Sequence, residues 1–310
     1  MGTRLKRQSR QGAFTIIELL TVMSIIVILI GLLVPALNQV RRYALGVKQN
    51  ATFAAIRAAL ELFRTESGGD YPESGAMDND RTQVPYCGAM KLCEAMMGQD
   101  LLGFHPQSRF VVSAAFTASP SSPWLYRLPA NPPTVFQQNL KERKGPYLET
   151  DKVSAHMLTD IYPASGLGAF TGQSGQMFVL SDVYKRMPNL GTGEESKVGM
   201  PVLYYRADQS GVKHDPNATN AAPLPTTVNN NGYIYNNWDN QQLLDLGMPG
   251  GGTHQLAGPN GSGLNFYSYI TNPQITMAKR PYKPDSYILI SAGWDGEYGT
   301  KDDTADFQQK

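Results

Sequence analysis

The residues of this chain whose types and spacing could carry chemistry are acids near its C-terminus. The segment SAGWDGEYGTKDDTADF, residues 291–307, follows an apolar run and turns on glycines. It contains five carboxylates: Asp295, Glu297, Asp302, Asp303 and Asp306. Calcium binds six to eight hard oxygen ligands at about 2.3–2.6 Å, and clustered carboxylates with backbone carbonyls supply such ligands. The order Asp-x-Asp-x-Asp-Gly of an EF-hand is absent. The segment alone therefore leaves two alternatives, a calcium site or an ordinary Asp-Gly turn with solvated acids.

A second acid stands alone in an apolar run near the N-terminus. The run from Phe14 to Leu37 contains 24 residues, and Glu18 is its single carboxylate. As a helix it would be about 36 Å long, which exceeds the roughly 30 Å hydrocarbon core of a bilayer. A carboxylate that faces lipid near the centre of a membrane helix costs about 2.5 kcal/mol or more. Glu18 is therefore predicted to be a functional group with a partner.

This apolar run has two simpler interpretations. A cleaved secretory signal has an apolar core of about 7–15 residues and a small-residue cleavage site. The run here is longer, and VPALNQVRR is a poor cleavage site. A plain signal anchor fits the length but leaves Glu18 unexplained. Four basic residues and no acidic residue precede the run: Arg4, Lys6, Arg7 and Arg10.

Signatures of an enzyme are not found in the sequence. The four histidines, His105, His156, His214 and His254, are scattered and form no HExxH or other metal-binding spacing. The chain has no P-loop, no G-x-S-x-G and no dinucleotide-binding fingerprint, and the glycines at 250–252 lack a following Lys-Ser/Thr. We therefore predict that the protein is not an enzyme.

The two cysteines, Cys87 and Cys93, have neither a C-x-x-C redox spacing nor a zinc spacing. A disulfide is one alternative and two separate thiols the other. If both lie on one helix, six residues place them too far apart for a bridge.

Composition describes a globular protein with one membrane-length segment. Of the 310 residues, 41% are hydrophobic and 17% charged, and the mean hydropathy is −0.31. The formal net charge of +1 argues against a nucleic-acid-binding protein, which would need a large positive field. Loss of residues 1–13 would remove four positive charges and leave a slightly acidic chain.

The helical pattern continues beyond the apolar run. Two stripes with helical spacing are predicted to lie on opposite faces. The alanine-rich stripe consists of Val40, Ala44, Val47, Ala51, Ala55, Ala58 and Leu62, and the bulky stripe of Phe53, Ile56, Leu60 and Phe63. The bulky stripe should pack on the protein's own sheet, and the alanine-rich stripe should admit another helix closely. The alternative is that both stripes belong to one core.

The ends of this helix can also be predicted. Gly68 and Gly69 stop it, so it should cover residues 14–67 and be roughly 80 Å long, with Gly31, Pro35 and Gly46 as points of bending.

The rest of the chain predicts a small sheet and long loops. Strand patterns occur at Met177–Tyr184, Pro201–Arg206 and Tyr287–Ser291. Short helices are predicted at Met90–Met97, Asp239–Leu246 and Leu264–Ile270, with irregular chain over 78–139 and a loop-rich stretch over 208–263. The predicted fold class is α+β: a long N-terminal helix, half of it transmembrane, packed on a small antiparallel sheet with long loop insertions.

The N-terminal residues resemble a known family. A basic leader, a small residue, F-T-x-x-E-L-L and a long apolar helix resemble the signature of type IV pilins and type II secretion pseudopilins. The resemblance implies cleavage between Ala13 and Phe14 and N-methylation of Phe14. Glu18 falls at the family's fifth mature position and would face the Phe14 amine of a neighbouring subunit. Pro35 falls at the family's mid-helix proline. The chain departs from the pattern at Ala13, where a glycine is usual.

Two further stretches resemble the major pseudopilins of type II secretion. After the long helix comes a short loop with Tyr71-Pro72, as in that family. Near the C-terminus, Asp295 in an Asp-Gly turn is followed at the family's spacing by the adjacent acids Asp302 and Asp303, and in the family these positions bind one calcium ion. The resemblance covers about residues 10–75 and 286–307.

The resemblance implies a domain order and a cellular setting. Residues 1–13 would be a cleaved leader, 14–67 the long helix with its transmembrane part at 14–37, and 68–310 a periplasmic pilin-like domain with a calcium loop at 291–307. The protein would be a single-pass inner-membrane protein that assembles into a homopolymeric pseudopilus filament and helps to drive protein export. Implied partners are other pseudopilins, the prepilin peptidase/N-methyltransferase and an inner-membrane assembly platform.

Two other functions remain open at this point. One is a minor type IV pilin-like adhesin or ligand-binding module, anchored in the membrane, that recognises its ligand through the Asn/Gly/Trp-rich insert around Trp238. The other is a membrane-tethered enzyme. The stretch between the two resembling regions is longer than the compact body of the family.

Overall fold

A computed structural model gives the fold of most of the chain. It describes residues 15–77, 84–112, 125–126, 133–162, 166–172, 174–185, 198–218, 232–249, 251–258 and 264–307. Within these residues, a long N-terminal apolar helix is followed by small antiparallel sheets and short helices, so the fold class is α+β as predicted.

The long helix, α1, covers Ile16–Glu66 without interruption. Its 51 residues make it roughly 75 Å long. The helix continues through Pro35, whose missing N–H removes one hydrogen bond of the ladder. Gly68 and Gly69 follow the helix with φ of 87° and 101°, the left-handed backbone that glycine adopts at low cost. The helix and its glycine stop are therefore confirmed to within two residues.

The C-terminal part of α1 buries one stripe in the core. The buried residues recur every three or four positions: Gln49, Thr52, Phe53, Ile56, Ala59, Leu60 and Phe63. This stripe contains the whole bulky stripe predicted from the sequence. Gln49 adds a specific contact, because its side-chain oxygen accepts a hydrogen bond of 3.0 Å from the backbone N–H of Val183. The alanine-rich stripe stays exposed except at the half-buried Ala55, so the alternative of two core stripes is wrong.

Helix α2, Gly88–Met97, lies in the centre of the domain and all ten of its residues are buried. It packs against strands β2 (Phe178–Ser181) and β3 (Leu203–Arg206). Gly88 permits this approach, because a Cβ there would lie 2.2 Å from the backbone oxygen of Tyr204.

Two antiparallel sheets form instead of the single small sheet that was predicted. Strand β1 (Ser154–Met157) pairs with β2, and β3 pairs with β4 (Tyr287–Ser291), which in turn pairs with β5 (Thr304–Ala305). An isolated antiparallel bridge between Ser181, the last residue of β2, and Pro201, just before β3, links the two sheets. The three predicted strands exist, with shorter bounds for the first two. Strands β1 and β5 were missed because each is short and lacks an alternating pattern.

The remaining helices are short. They are α3 (Pro133–Glu142), α4 (Leu158–Ile161), α5 (Gln241–Leu244) and α6 (Leu264–Tyr269). The predicted helix at Asp239–Leu246 is a 3₁₀ turn over Asn237–Asp239 followed by α5. Irregular chain was predicted over 78–139 apart from the helix at Met90–Met97. This prediction was wrong at residues 88–89, where α2 begins, and at residues 133–139, which belong to α3.

Cys87 and Cys93 are free thiols in the structure, and both are buried. Cys87 is the N-cap residue of α2 and Cys93 lies within that helix. Burial raises the pKa of the Cys87 thiol to about 11 and raises that of Cys93 further. Thiols that stay protonated at neutral pH are poor nucleophiles, so both act as packing residues.

The buried stripe of α1 predicts where the helix contributes to stability. Ile56→Ala, at a fully buried position, should lower the free energy of unfolding by about 2–5 kcal/mol because it leaves a cavity. Leu62→Ala, a matched truncation on the exposed face, should change it by about 0.5 kcal/mol or less. Urea unfolding of a fragment that begins near Gln39 measures both. Equal effects at the two positions would contradict the assignment of faces.

Candidate functional sites: the exposed helix and the acidic C-terminal loop

The chain divides into two compact units, Met1–Leu45 and Gly46–Lys310. The processing residues Ala13 and Phe14 lie outside the described residues. In the first unit the structure describes the start of α1, and every residue from Thr15 to Ala44 is exposed. Glu18 and Pro35 both lie on this exposed helix.

The exposed part of α1 carries an apolar surface on all sides. Its large side chains are exposed by 43% or more, as at Ile16 (84%), Leu32 (70%) and Val27 (68%). The most apolar 18-residue window of the helix has a mean hydropathy of 2.8, and none of it is buried inside the protein. By length and composition this helix can cross a membrane. A helix that is hydrophobic all round is stable only when lipid or other protein covers it.

Glu18 is held by the first turn of its own helix. The Thr15 backbone N–H and hydroxyl both donate to Glu18 Oε2, at 2.9 and 2.7 Å. In return, the Glu18 N–H donates to Thr15 Oγ1 at 3.3 Å. This reciprocal arrangement is a capping box of the form T-x-x-E, which satisfies two backbone donors that a helix start leaves unpaired. The spacing Thr15-x-x-Glu18 is the signal in the sequence that predicts such a box.

The acidic C-terminal segment folds into a loop closed by Asp302. Asp302 Oδ2 accepts hydrogen bonds from the backbone N–H groups of Trp294 and Asp295, at 2.7 and 3.0 Å. Its other oxygen accepts from the Thr300 hydroxyl at 2.6 Å. Gly293 makes the closure possible, because it has φ of 61° and a Cβ there would lie 2.3 Å from the Asp302 backbone oxygen. The structure therefore brings Asp302 to the turn that contains Asp295, seven residues earlier.

The other two predicted ligands face the same loop. Asp295 Oδ1 accepts from the Glu297 N–H at 2.8 Å, and Asp303 Oδ2 accepts from the Gly299 N–H at 2.7 Å. Asp303 is 1% exposed. Burial raises its pKa to about 7, against the opposing effect of the Gly299 hydrogen bond.

The carboxyl groups of Asp295 and Asp302 interact directly. The pKa of Asp295 is raised, first by burial and then by the neighbouring Asp302. Burial would also raise the pKa of Asp302, but hydrogen bonds from Thr300, Asp295 and Trp294 lower it. Ionisation of one of these carboxyls therefore disfavours ionisation of the other.

Asp306 has a different role from the three predicted ligands. Asp306 is turned away, because it accepts from Lys283 Nζ at 2.5 Å and from the Leu289 N–H at 3.0 Å. Asp306 thus belongs to an ion pair, whereas Asp295, Asp302 and Asp303 accept hydrogen bonds from groups within the loop.

The donor set of this loop fits a calcium ion in chemistry. Each carboxylate offers about four lone-pair sites, so the hydrogen bonds described leave acceptor capacity on Asp295, Asp302 and Asp303. All are hard oxygens, and the Thr300 hydroxyl lies beside them. Over the described residues, no three His, Cys, Asp or Glu side chains are already arranged around one metal position. Calcium at this loop stays a prediction.

Within the described part of the chain, none of the histidines belongs to a group of three or more side chains that could hold a metal ion. His105 Nδ1 accepts from the Gln107 N–H at 3.2 Å, and its Nε2 lies 3.6 Å from Glu142. His214 Nε2 lies 2.8 Å from the Thr271 hydroxyl, and His254 Nδ1 accepts from the Tyr298 N–H at 3.3 Å. In each of these contacts the partner of the histidine is a residue of another type, and no two of these histidines contact each other.

The polar insert around Trp238 is partly packed into the domain. Asn240 is fully buried. Its Oδ1 accepts a hydrogen bond from the Ala89 N–H at 2.9 Å, and its Nδ2 donates to the Tyr204 backbone oxygen at 2.7 Å. This one side chain joins α2 to β3. Asp239 is also buried and accepts a hydrogen bond from the Ser74 hydroxyl. Residues 219–231 of the insert lie outside the described residues.

Comparisons with known proteins give no assignment: a scan against family models, a search of curated proteins and a search of solved structures each found no match.

The buried Asp239 predicts a pH-dependent stability. Burial raises the pKa of its carboxyl to about 7, although Ser74 and Lys91 act to lower it. The folded protein therefore binds this proton more tightly than the unfolded chain, so the stabilisation is complete below about pH 4 and is lost as the pH rises through 7. Asp239→Asn should remove this loss, which is on the order of 4 kcal/mol between pH 4 and 8.

Urea unfolding at a series of pH values checks this prediction. The asparagine can still accept the Ser74 hydrogen bond, so the variant should stay folded. If the free energy of unfolding depends on pH in the same way in the variant and the wild type, the Asp239 carboxyl is not the source of the pH dependence.

Proposed function

We propose that this protein is a structural subunit of a pilin-like filament, of the type II secretion pseudopilus kind, stored in the inner membrane before assembly. The observation that carries the proposal is the single helix α1, which is uncovered and apolar over its first thirty positions and packs into a folded domain over its last turns. Lipid would cover this surface when the helix spans a membrane, and neighbouring helices would cover it in a filament core.

The energy of covering this surface is large. Fully burying one Val, Leu, Ile or Met side chain contributes about 1.5–3 kcal/mol. More than a dozen such side chains are exposed along the first part of α1. Lipid covers them in the stored subunit. On extraction into water the same side chains would drive neighbouring helices together, and the exposed alanine-rich stripe lets helices approach closely.

Glu18 gives this packing its register. In the free subunit its carboxylate caps its own helix through Thr15. In the filament it would meet the α-amine of Phe14 on a neighbour, once the leader is removed after Ala13 and Phe14 is methylated. Loss of the carboxylate would leave that ammonium buried without a counter-charge, which costs several kcal/mol. The assembly would involve a prepilin peptidase/N-methyltransferase, an inner-membrane platform and other pseudopilins.

Calcium is the proposed ligand of the C-terminal loop. Asp295, Asp302 and Asp303 would hold the ion and keep their carboxyls ionised. The ion would fix the loop against β4, from which it leaves. The folded domain would lie in the periplasm, where the ion is available.

Substitutions at Glu18 separate its two roles. Glu18→Gln keeps a side chain that can complete the capping box but removes the charge. It should give a processed, membrane-stored protein that does not assemble, with filament yield reduced at least tenfold. Thr15→Ala removes the cap but keeps the carboxylate, so it should still assemble.

Filaments sheared from cells and quantified by immunoblot provide the measurement. N-terminal sequencing should show Phe14 as the first residue in both variants. Normal filament yield from Glu18→Gln would reject the charge pair and leave the capping box as the role of Glu18.

Calcium binding should raise the thermal stability of the domain. For the fragment that begins near Gln39, calcium at about 100 times its Kd adds about 2.7 kcal/mol. That should raise the melting temperature by roughly 5–10 °C, and a chelator should reverse the rise.

Asp302→Asn should abolish this response, whereas Asp151→Asn, in an exposed turn, should retain it. A melting temperature of the wild-type fragment that does not change with calcium or chelator would remove the ion from the proposal.

A further inference from the structure

A short basic segment follows the apolar run on α1. We call Arg41, Arg42 and Tyr43 the basic collar. All three side chains are exposed, Tyr43 by 76%. They lie within the unit Met1–Leu45, on the same uninterrupted helix as the apolar run that ends at Leu37. Successive positions on an α-helix are rotated by about 100°, so the three side chains spread over more than half of the helix circumference.

The helix supplies no carboxylate to the basic collar. The sequence contains no Asp or Glu between Glu18 and Glu61. Ion pairs along a helix join residues three or four positions apart, and uncharged residues occupy all such positions around Arg41 and Arg42. Within residues 14–45 these two arginines are the only basic residues. The collar is therefore a concentrated positive charge whose counter-charge must come from outside the helix.

The length of the apolar run places the basic collar at a defined depth in a bilayer. From Ile16 to Leu37 the helix rises by about 32 Å, close to the roughly 30 Å of a hydrocarbon core. Arg41 lies four residues beyond Leu37, which is about 6 Å further along the axis. A headgroup layer is about 5–8 Å thick on each side of the core. When the apolar run fills the core, the collar therefore lies among the lipid headgroups.

The residue types of the basic collar match the chemistry of that layer. A guanidinium group presents its N–H donors in a fork that fits two phosphate oxygens. Tyrosine is enriched at membrane–water interfaces, because its ring is apolar and its hydroxyl finds polar partners there. The collar thus combines two groups that bind phosphate with one aromatic side chain that is suited to the boundary beneath it.

We propose that the basic collar binds the phosphate groups of anionic phospholipids in the leaflet on the C-terminal side of the span, and that this contact fixes the depth of α1 in the membrane. Glu18 precedes Arg41 by about 35 Å along the helix axis, which exceeds the hydrocarbon core. A collar held in one headgroup layer therefore keeps the Glu18 carboxylate at the opposite surface. In the centre of the bilayer that charge would be costly.

A neighbouring helix is a poorer source of counter-charge than the headgroups. In a second copy of α1 at the same level, the carboxylate nearest to the collar is that of Glu61, about 28 Å further along the axis. Phosphate groups, in contrast, lie at the depth of the collar throughout an anionic leaflet. Charge complementarity therefore favours the lipid surface as the partner of the collar.

Lipid selectivity of the full-length chain tests this inference, which rests on the proposed storage in the membrane and not on the filament. The purified protein is reconstituted into phosphatidylcholine vesicles, and the association of spin-labelled phosphatidylglycerol is compared with that of spin-labelled phosphatidylcholine. The association constant for the anionic lipid should be higher by about fivefold or more, since one cation near an anionic surface contributes that factor. Arg41→Gln with Arg42→Gln should abolish the preference.

Two further variants separate the charge of the collar from charge elsewhere. Lys279→Gln with Arg280→Gln removes two adjacent exposed cations from a loop of the folded domain and should leave the preference unchanged. Arg41→Lys with Arg42→Lys keeps both charges and should retain most of the preference. All four positions are exposed, so each variant should fold normally. An equal loss in the loop variant would overturn the assignment to the collar.

The depth of the helix provides a second readout. A fluorescent probe on Asn38→Cys reports depth through its quenching by nitroxides placed at different levels of the acyl chains. The native Cys87 and Cys93 are buried and should not be labelled. In vesicles that contain phosphatidylglycerol, replacement of both collar arginines by glutamine should shift the probe by about 5 Å, one helical turn. An unchanged depth would overturn the role of the collar in fixing the span.

The outcomes distinguish this inference from the proposed function. A chain that inserts into the vesicles without preferring the anionic lipid would overturn the collar contact and leave membrane storage intact. A chain that alkaline carbonate extracts from the vesicles would overturn both. Loss of filaments in Arg41→Gln with Arg42→Gln, with the lipid preference unchanged, would assign the collar to a neighbouring subunit and overturn the lipid contact.

Discussion

The apolar surface that α1 leaves uncovered is the constraint on which the rest of this structure depends. A helix with apolar residues on all sides is incompatible with water, and the described part of the domain covers only its second half. The change along α1 from exposed to partly buried residues takes place within a few residues. Before Leu45 the helix has no buried residue, and from Gln49 onward one stripe is buried at every turn. The proposed storage in lipid and assembly in a filament are two ways of meeting the same requirement.

The folded domain meets the opposite requirement, since it must bury polar groups around its central helix. Helix α2 is buried along its full length although it contains Lys91 and Glu94. Glu94 accepts hydrogen bonds from Tyr86, Gln99 and Ser108, and burial raises its pKa. Asn240 joins the start of α2 to β3. The three partners of Glu94 lie within 14 residues of it, whereas Asn240 lies 151 residues from Ala89 in the sequence. Such contacts let the core hold polar groups, because a buried polar group without a partner would destabilise it.

The acidic loop shows how much of a candidate site a sequence can predict. The order of the acids and the glycines predicted a turn after a strand, and the structure places the three proposed ligands in one loop after β4. The composition of the segment alone did not separate Asp306 from them, whereas the resemblance already named only Asp295, Asp302 and Asp303. Asp306 pairs with Lys283, 23 residues earlier in the chain, and no local spacing encodes that contact. At the other end of the molecule, the local Thr15–Glu18 capping box was available in the sequence and was overlooked.

The sequence alone determined the features that depend on near neighbours in the chain. The length of α1, its stop at Gly68 and Gly69, the bulky buried stripe and strand β4 all follow from periodicity, glycine and apolar content, which act over a few residues. The tertiary structure decided the division into two sheets, the central position of α2, the free state of Cys87 and Cys93 and the bridging role of Asn240. Those features depend on which distant segments meet, and their free energy comes from burial and hydrogen bonds that exist only after the chain has folded.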